Sequence, residues 1–342
     1  MKNPFLRSAL AAAAAAGLAM GLTACSDDDT NEAASDSDDV VKIVTSTKVW
    51  ADVADAVVGD ADGVEIQPII ESNDLDPHSY QPTAADMALV EQADVLLAGG
   101  GHYDAWLTDA ASSDSSAIIL TAIEGDGFDG HGHGEDGHGE HDDHDHAAHE
   151  DEDATEADDH AGHDHDHDHA GHDHDHAHDH EVNEHIWYNT EAVTSLASTL
   201  ADEINAHWDL GASDEDVVKR MEDIEDRKAD LPAAKTAQTH PLADDIISGT
   251  KIEDITPEGY RSATLSESEP AAADVAEMLE LIESGDLDFL IDSPQTHNHV
   301  SERLMQAAQS KGLRIINVYE SPDSNENFFD LYDRILDSLE KK

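Results

Sequence analysis

The sequence of 342 residues is poor in cysteine and in basic residues. Its single cysteine, Cys25, cannot form a disulfide within the chain or build a cysteine-based zinc site. Any metal site must therefore use histidine and carboxylate ligands. Only 17 lysines and arginines stand against 79 aspartates and glutamates, a formal net charge of −62. Because the chain has no basic surface to neutralise phosphates, we do not expect it to bind nucleic acid. Its negative charge suits cationic ligands better. Solubility or adaptation to salt would also explain this charge.

Long apolar runs are scarce as well. The run near the N-terminus, residues 9–21, follows Lys2 and Arg7 and ends in small residues. It is shorter than the about 20 apolar residues that a membrane-spanning helix needs, so it predicts an export signal rather than a permanent anchor. Residues 22–25 (LTAC) have the pattern of a bacterial lipobox, in which Cys25 becomes the acylated first residue. We therefore predict an extracytoplasmic protein that is lipid-anchored to the bacterial cell membrane.

The body of the chain alternates strand-like and helix-like runs, which is typical of parallel βα units. We predict an α/β fold of two lobes with parallel sheets, joined by a charged helix that ends before Pro232. The predicted divisions are a signal peptide (residues 1–24), an acidic, flexible tether (25–39), an N-terminal lobe (40–212) with a disordered histidine-rich insert at about 126–184, a linker helix (213–231) and a C-terminal lobe (232–342).

Most of the histidines lie in one segment. Seventeen of the 24 occur between His131 and His180, interleaved with Asp, Glu, Gly and Ala, so this segment cannot form a core. A mobile strand with histidine at every second position can present several imidazoles to one ion. We predict weak, exchangeable metal binding there; the alternative is a solvated polar tract. The candidate ligands of this low-affinity loop are His163, His165, His167, His169, His172, His174, His176, His178 and His180.

Three of the other seven histidines lie where structural elements are expected to meet. His78 is part of residues 76–82 (DPHSYQP), a loop after a predicted strand, and ligands of open α/β sheets bind at the carboxyl ends of strands. His185 begins residues 185–188 (HIWY), where the insert rejoins the fold, and His240 lies between a predicted strand and a helix. Each alone is more often a surface or hydrogen-bonded residue, but together they indicate a site.

The motifs around these histidines resemble those of a known family. Residues 76–86 (DPHSYQPTAAD), residues 183–188 (NEHIWY), His240 after its strand and the pair Glu269–Pro270 resemble the zinc and manganese solute-binding proteins of ABC importers, which include the ZnuA-like proteins. The likeness extends over nearly the whole chain after the tether. It implies two lobes bridged by one long helix, with the metal site between them. Glu184 and residues 188–190 (YNT) depart from the family's commoner second motif.

The resemblance also implies a set of metal ligands. Carried over to this chain, the first three are His78, His185 and His240, and the fourth is a carboxylate at Glu320. Asp292 or a water molecule is the alternative for the fourth ligand. Three imidazoles and one carboxylate suit Zn²⁺, whereas Mn²⁺ prefers more oxygen ligands, and the resemblance implies a carboxylate at the third position of manganese-binding members. Zinc is therefore favoured over manganese.

The resemblance implies a function in zinc import, in which the protein captures Zn²⁺ and delivers it to an ABC-importer permease and its ATPase. The histidine-rich loop would collect zinc at low affinity. We expect a monomer that contacts the membrane only through its lipid anchor. The chain has no HExxH motif or nucleophile elbow, so we predict that it is not an enzyme. A zinc-dependent hydrolase, and a zinc buffer or adhesin without a transporter, are the alternatives.

Overall fold

A computed structural model of the chain describes residues 40–75, 77–111, 116–123 and 183–341. The predicted signal peptide, the acylation site at Cys25, the tether and the nine histidines of the low-affinity loop lie outside these residues. The described residues belong to one compact unit that begins at Val40. Among them, no helix combines the length and the apolar character needed to cross a membrane.

The first lobe is built on a four-stranded parallel sheet with the strand order β2-β1-β3-β4. Its strands are β1 (Val41–Thr47), β2 (Val64–Ile70), β3 (Val95–Ala98) and β4 (Ile118–Thr121), and its helices are α1 (Lys48–Val58), α2 (Ala84–Val90) and α3 (Ala105–Ala110). The central strand β3 is entirely apolar and all four of its residues are buried, as is typical of a parallel strand that is covered on both faces. The other central strand, β1, is buried at six of its seven residues although it contains Lys42 and three hydroxyl residues. A capping box between Thr83 and Asp86 begins α2 close to the loop that carries His78.

The second lobe repeats this topology with the strand order β6-β5-β7-β8. Its strands are β5 (Ala234–Gln238), β6 (Ile252–Asp254), β7 (Phe289–Asp292) and β8 (Arg314–Asn317), and its helices are α6 (Asp244–Ile247), α7 (Glu258–Leu265), α8 (Ala272–Ser284), α9 (His299–Lys311) and α10 (Phe328–Glu340). Two lobes with parallel sheets confirm the predicted α/β fold.

Two consecutive helices connect the sheets: α4 (Thr190–Trp208) and α5 (Glu215–Asp230). Helix α5 leads directly into β5 and lies within the predicted linker, and the longer α4 precedes it. Acidic residues in the first turn of α5 and basic residues in its last turn match the helix dipole. Its face with Val217, Met221 and Ile224 is buried, and α5 packs against α4, α1 and α10.

The C-terminal helix α10 ties the second lobe to the first. Its first residue, Phe328, donates a main-chain hydrogen bond of 2.8 Å to Asp52 in α1, and Tyr332 donates one of 2.8 Å to the carbonyl of Tyr188. One hydrophobic core includes Trp50 of the first lobe as well as Tyr332. Because protein cores are close-packed, large relative movement of the lobes would disrupt this shared core.

Candidate metal centre

Four potential metal ligands come from separate elements of both lobes. His78 lies in a 3₁₀ turn (Pro77–Ser79) after β2, and His185 lies directly before the 3₁₀ turn Ile186–Tyr188 that leads into α4. His240 follows β5, and Glu320 follows β8. His78, His240 and Glu320 thus lie beyond the carboxyl ends of strands, where ligands of parallel α/β sheets bind.

The side chains of these four residues converge. One ligand atom from each of them lies within 4.8 Å of every other. Nε2 of His185 is 3.3 Å from Nε2 of His78 and 3.0 Å from Nε2 of His240, and Nε2 of His78 is 3.0 Å from Oε1 of Glu320. A tetrahedral Zn²⁺ about 2.0–2.1 Å from each nitrogen would separate the ligand atoms by about 3.3 Å. The spacing of the donor atoms thus fits one such ion.

The group is sheltered from water. Glu320 is fully buried, His185 and His240 are buried, and His78 is only partly accessible. A buried carboxylate needs compensating partners, and besides His78 the carboxylate of Glu320 accepts a hydrogen bond of 3.0 Å from the hydroxyl of Tyr103.

The three imidazoles differ in their affinity for protons. Burial disfavours the charged form of His78, but hydrogen bonds and negative charge from Glu320 and Glu267 outweigh this effect and raise the pKa of His78 to about 9. Burial and the nearby His78 lower the pKa of His240 to about 3. Burial, together with the neighbouring rings of His240 and His78, holds the pKa of His185 well below its usual value. Two rings are therefore neutral and ready to bind a cation near neutral pH, and the third holds a proton.

Residues that the sequence analysis did not single out contact the potential ligands. Glu267, in the loop after α7 of the second lobe, forms a hydrogen bond with Nδ1 of His78 in the first lobe. The backbone of Glu267 is left-handed, with φ of 52°. Such a conformation is costly for a residue other than glycine and is frequent at functional sites. No local sequence signal distinguishes Glu267 from the other exposed carboxylates of this acidic chain.

Gln295 connects the loops that carry two of the potential ligands, His78 and Glu320. Its side-chain oxygen accepts a hydrogen bond of 2.6 Å from the main-chain N–H of Glu320. Its amide nitrogen donates a hydrogen bond of 3.2 Å to the carbonyl of Leu75, three residues before His78. The side chain of Gln295 thus links the first lobe to the second beside the site.

Other candidates lie outside the group. Asp292, the alternative fourth ligand, is buried, but its carboxylate accepts a hydrogen bond of 3.1 Å from Thr239 and lies 2.7 Å from Nε2 of His297. Among the described residues, the geometry therefore favours Glu320 over Asp292 as the carboxylate of this group. Glu269 of the family motif lies 3.4 Å from His299 in an exposed pair.

Comparisons with known sequences agree with this architecture. Residues 43–342 match the family model of ZnuA, described as zinc-uptake complex component A, periplasmic. The manganese ABC transporter substrate-binding lipoprotein PsaA of Streptococcus pneumoniae is 32% identical over 95 residues, which cover 27% of this chain and 29% of the relative. The manganese-binding lipoprotein MntA of Halalkalibacterium halodurans is 30% identical over 124 residues, which cover 33% of this chain and 39% of the relative.

Solved structures share the fold. The periplasmic zinc-binding protein TroA from Treponema pallidum superposes with a TM-score of 0.58 at 13% identity, covering 88% of this chain and 98% of that one. The two relatives aligned by sequence are named as binding proteins, and the prediction that the chain is not an enzyme is confirmed. The family match over most of the chain confirms the resemblance seen in the motifs, and the chain belongs to the ZnuA family.

Proposed function

We propose that this protein is the extracytoplasmic solute-binding component of a zinc ABC importer. The observation that carries the proposal is the convergence of three imidazole nitrogens and one buried carboxylate within 4.8 Å of one another. In this proposal His78, His185, His240 and Glu320 bind one Zn²⁺, which a membrane permease and its ATPase then receive. Membership of the ZnuA family supports a role in metal uptake.

The donor set supports zinc as the ion. PsaA and MntA are named for manganese, but their alignments span well under half of their own lengths. Mn²⁺ favours oxygen-rich coordination, whereas three nitrogens and one oxygen suit tetrahedral Zn²⁺. The buried His240 supplies a nitrogen where a carboxylate would favour manganese. Copper and nickel would bind these four ligands at least as well in vitro. The choice of zinc over these two metals therefore depends on which metal is available to the protein.

The proposal also assigns roles to the N-terminal segments and to the folded body that follows them. Residues 1–24 direct export, Cys25 carries the lipid, and residues 26–39 tether the monomeric body to the membrane. Because the lobes share a core around α10, release of zinc depends on small shifts of the loops that carry the ligands rather than on wide opening of the lobes.

The histidine-rich loop is proposed to collect zinc at low affinity for the fixed site. We expect that deleting residues 130–180 leaves one tightly bound Zn²⁺ per chain and removes the weakly bound ions, because His78, His185, His240 and Glu320 all lie outside the deletion. Metal analysis and competition titration with a chelator of known affinity measure both classes. Excess Mn²⁺ should not displace the tight ion. Loss of the tight ion on deletion, or its ready replacement by Mn²⁺, would contradict the assignment.

A further inference from the structure

The side chain of Asn183 lies between two of the proposed ligands. Its Oδ1 is 2.6 Å from Nδ1 of His185 and accepts a hydrogen bond of 3.1 Å from the main-chain N–H of the same residue. Its Nδ2 donates a hydrogen bond of 2.6 Å to the carbonyl of Pro241, the residue after His240, and one of 2.8 Å to Oδ2 of Asp244. A single amide thus contacts the ring of one ligand and the main chain beside another.

The neighbours of Asn183 fix the orientation of its amide. The carbonyl of Pro241 can only accept a hydrogen bond. The carboxylate oxygens of Asp244 act as acceptors here, since they pair with the guanidinium of Arg261 and accept a hydrogen bond of 2.7 Å from the amide of Gln238. The nitrogen of the Asn183 amide must therefore face these two acceptors, and its oxygen must face His185.

This orientation determines where His185 carries its proton. Because Oδ1 of Asn183 can only accept, Nδ1 of His185 must be the donor. A neutral imidazole has one N–H, so Nε2 of His185 keeps its lone pair, and that atom is the one that points toward His78 and His240. The amide of Asn183 selects the tautomer that can bind a metal through Nε2.

We propose that Asn183 is a positioning residue that holds His185 in the Nδ1–H tautomer and links its ring to the main chain that follows His240. The role in metal binding rests on the proposed function. Arg261 and Gln238 hold Asp244 in place, and Asp244 keeps the amide of Asn183 from rotating. The orientation of the His185 ring therefore depends on contacts made in the second lobe. Outer partners of metal-binding histidines commonly act in this way.

The test uses the full chain with Asn183→Ala. Long-range ¹H–¹⁵N correlation spectra of the metal-free protein report the tautomer of His185, whose signal is assigned by its absence from His185→Ala. We expect the Nδ1–H form in the unmodified chain and a mixture of tautomers in Asn183→Ala. Zinc affinity, measured by chelator competition, is expected to fall about 10–100-fold.

Asn189→Ala is the matched control. Asn189 lies in the same segment, is also half-buried, donates a hydrogen bond of 3.1 Å to Asp245 and accepts one from the N–H of Ala192. Among the residues that the structure describes, no hydrogen bond joins it to an imidazole. Its loss should lower the melting temperature while leaving the tautomer of His185 and the zinc affinity unchanged. Asn183→Ser, whose shorter side chain withdraws the acceptor from Nδ1 of His185, should also give a mixture of tautomers and provides the test if Asn183→Ala does not fold.

Two results would overturn the proposal. One is an unchanged tautomer and unchanged affinity in Asn183→Ala or, where that variant does not fold, in Asn183→Ser. The other is an equal loss of affinity in Asn189→Ala, which would reveal a general structural effect. The tautomer is read without metal, so failure of the unmodified chain to bind zinc would refute the proposed function and leave the assignment of the tautomer independently tested.

Discussion

Replacing His185 with alanine is expected to lower the affinity of the fixed site for Zn²⁺ by more than about 100-fold, beyond the loss typical of an outer partner. His185 lies at the centre of the group, with its Nε2 close to Nε2 of both His78 and His240. Without it the two remaining imidazoles and Glu320 offer only three ligand atoms. Competition with a chelator strong enough to strip the weakly bound ions measures the change.

His102→Ala serves as the control for this experiment. The ring of His102 is fully exposed and lies 3.0 Å from a carboxylate oxygen of Glu184, outside the group of four. Its removal should leave the tight ion in place. Circular dichroism verifies that both proteins are folded. If His185→Ala and the unmodified chain then bind Zn²⁺ with equal affinity, His185 is excluded as a ligand.

The affinity for Zn²⁺ is expected to fall about tenfold for each pH unit from about pH 8 to about pH 6. Because the pKa of His78 is raised to about 9, its ring holds a proton throughout this window, and the ion must displace that proton. The lowered pKa values of His185 and His240 leave those rings neutral, so they release no proton. Calorimetry in buffers of different ionisation enthalpy should therefore detect about one proton released per ion near pH 7.

The cause of this dependence can be tested at Glu267. Glu267→Gln removes a negative charge that raises the pKa of His78, so the affinity should depend less steeply on pH near pH 8. Glu269→Gln is the matched control, since Glu269 is exposed in the same loop but pairs with His299. An affinity that does not change with pH, or the release of three protons per ion, would contradict the assigned protonation states.

Much of the fold could be predicted from local patterns. The predicted alternation of strands and helices is found in both lobes, because strands of a covered parallel sheet appear as short apolar runs such as β3. Local patterns do not indicate helix α7: it is short, it contains Gly259, Ser262 and Thr264, and Tyr260 is its one buried residue. The docking of α10 on α1, across 276 residues of sequence, depends on packing that no local pattern encodes.

The site was predictable in a different way. Local sequence patterns indicate a role for His78, His185 and His240, which lie at junctions between elements. Glu320 was predicted only from the resemblance to the family. Glu267 and Gln295 were not predicted as part of the site, because their roles depend on contacts with residues far away in the sequence. Glu267, for example, forms a hydrogen bond with the ring of His78, 189 residues away. Asn183 was part of a recognised motif, but only the positions of Pro241 and Asp244 reveal which way its amide faces.

The most direct measurement is a crystal structure of the zinc-loaded protein with anomalous diffraction recorded at the zinc edge. We expect one strong peak between the lobes, about 2.0–2.1 Å from Nε2 of His78, His185 and His240 and about 2.0–2.2 Å from a carboxylate oxygen of Glu320. A tight zinc ion bound elsewhere, or held without these imidazoles, would contradict the proposed binding site.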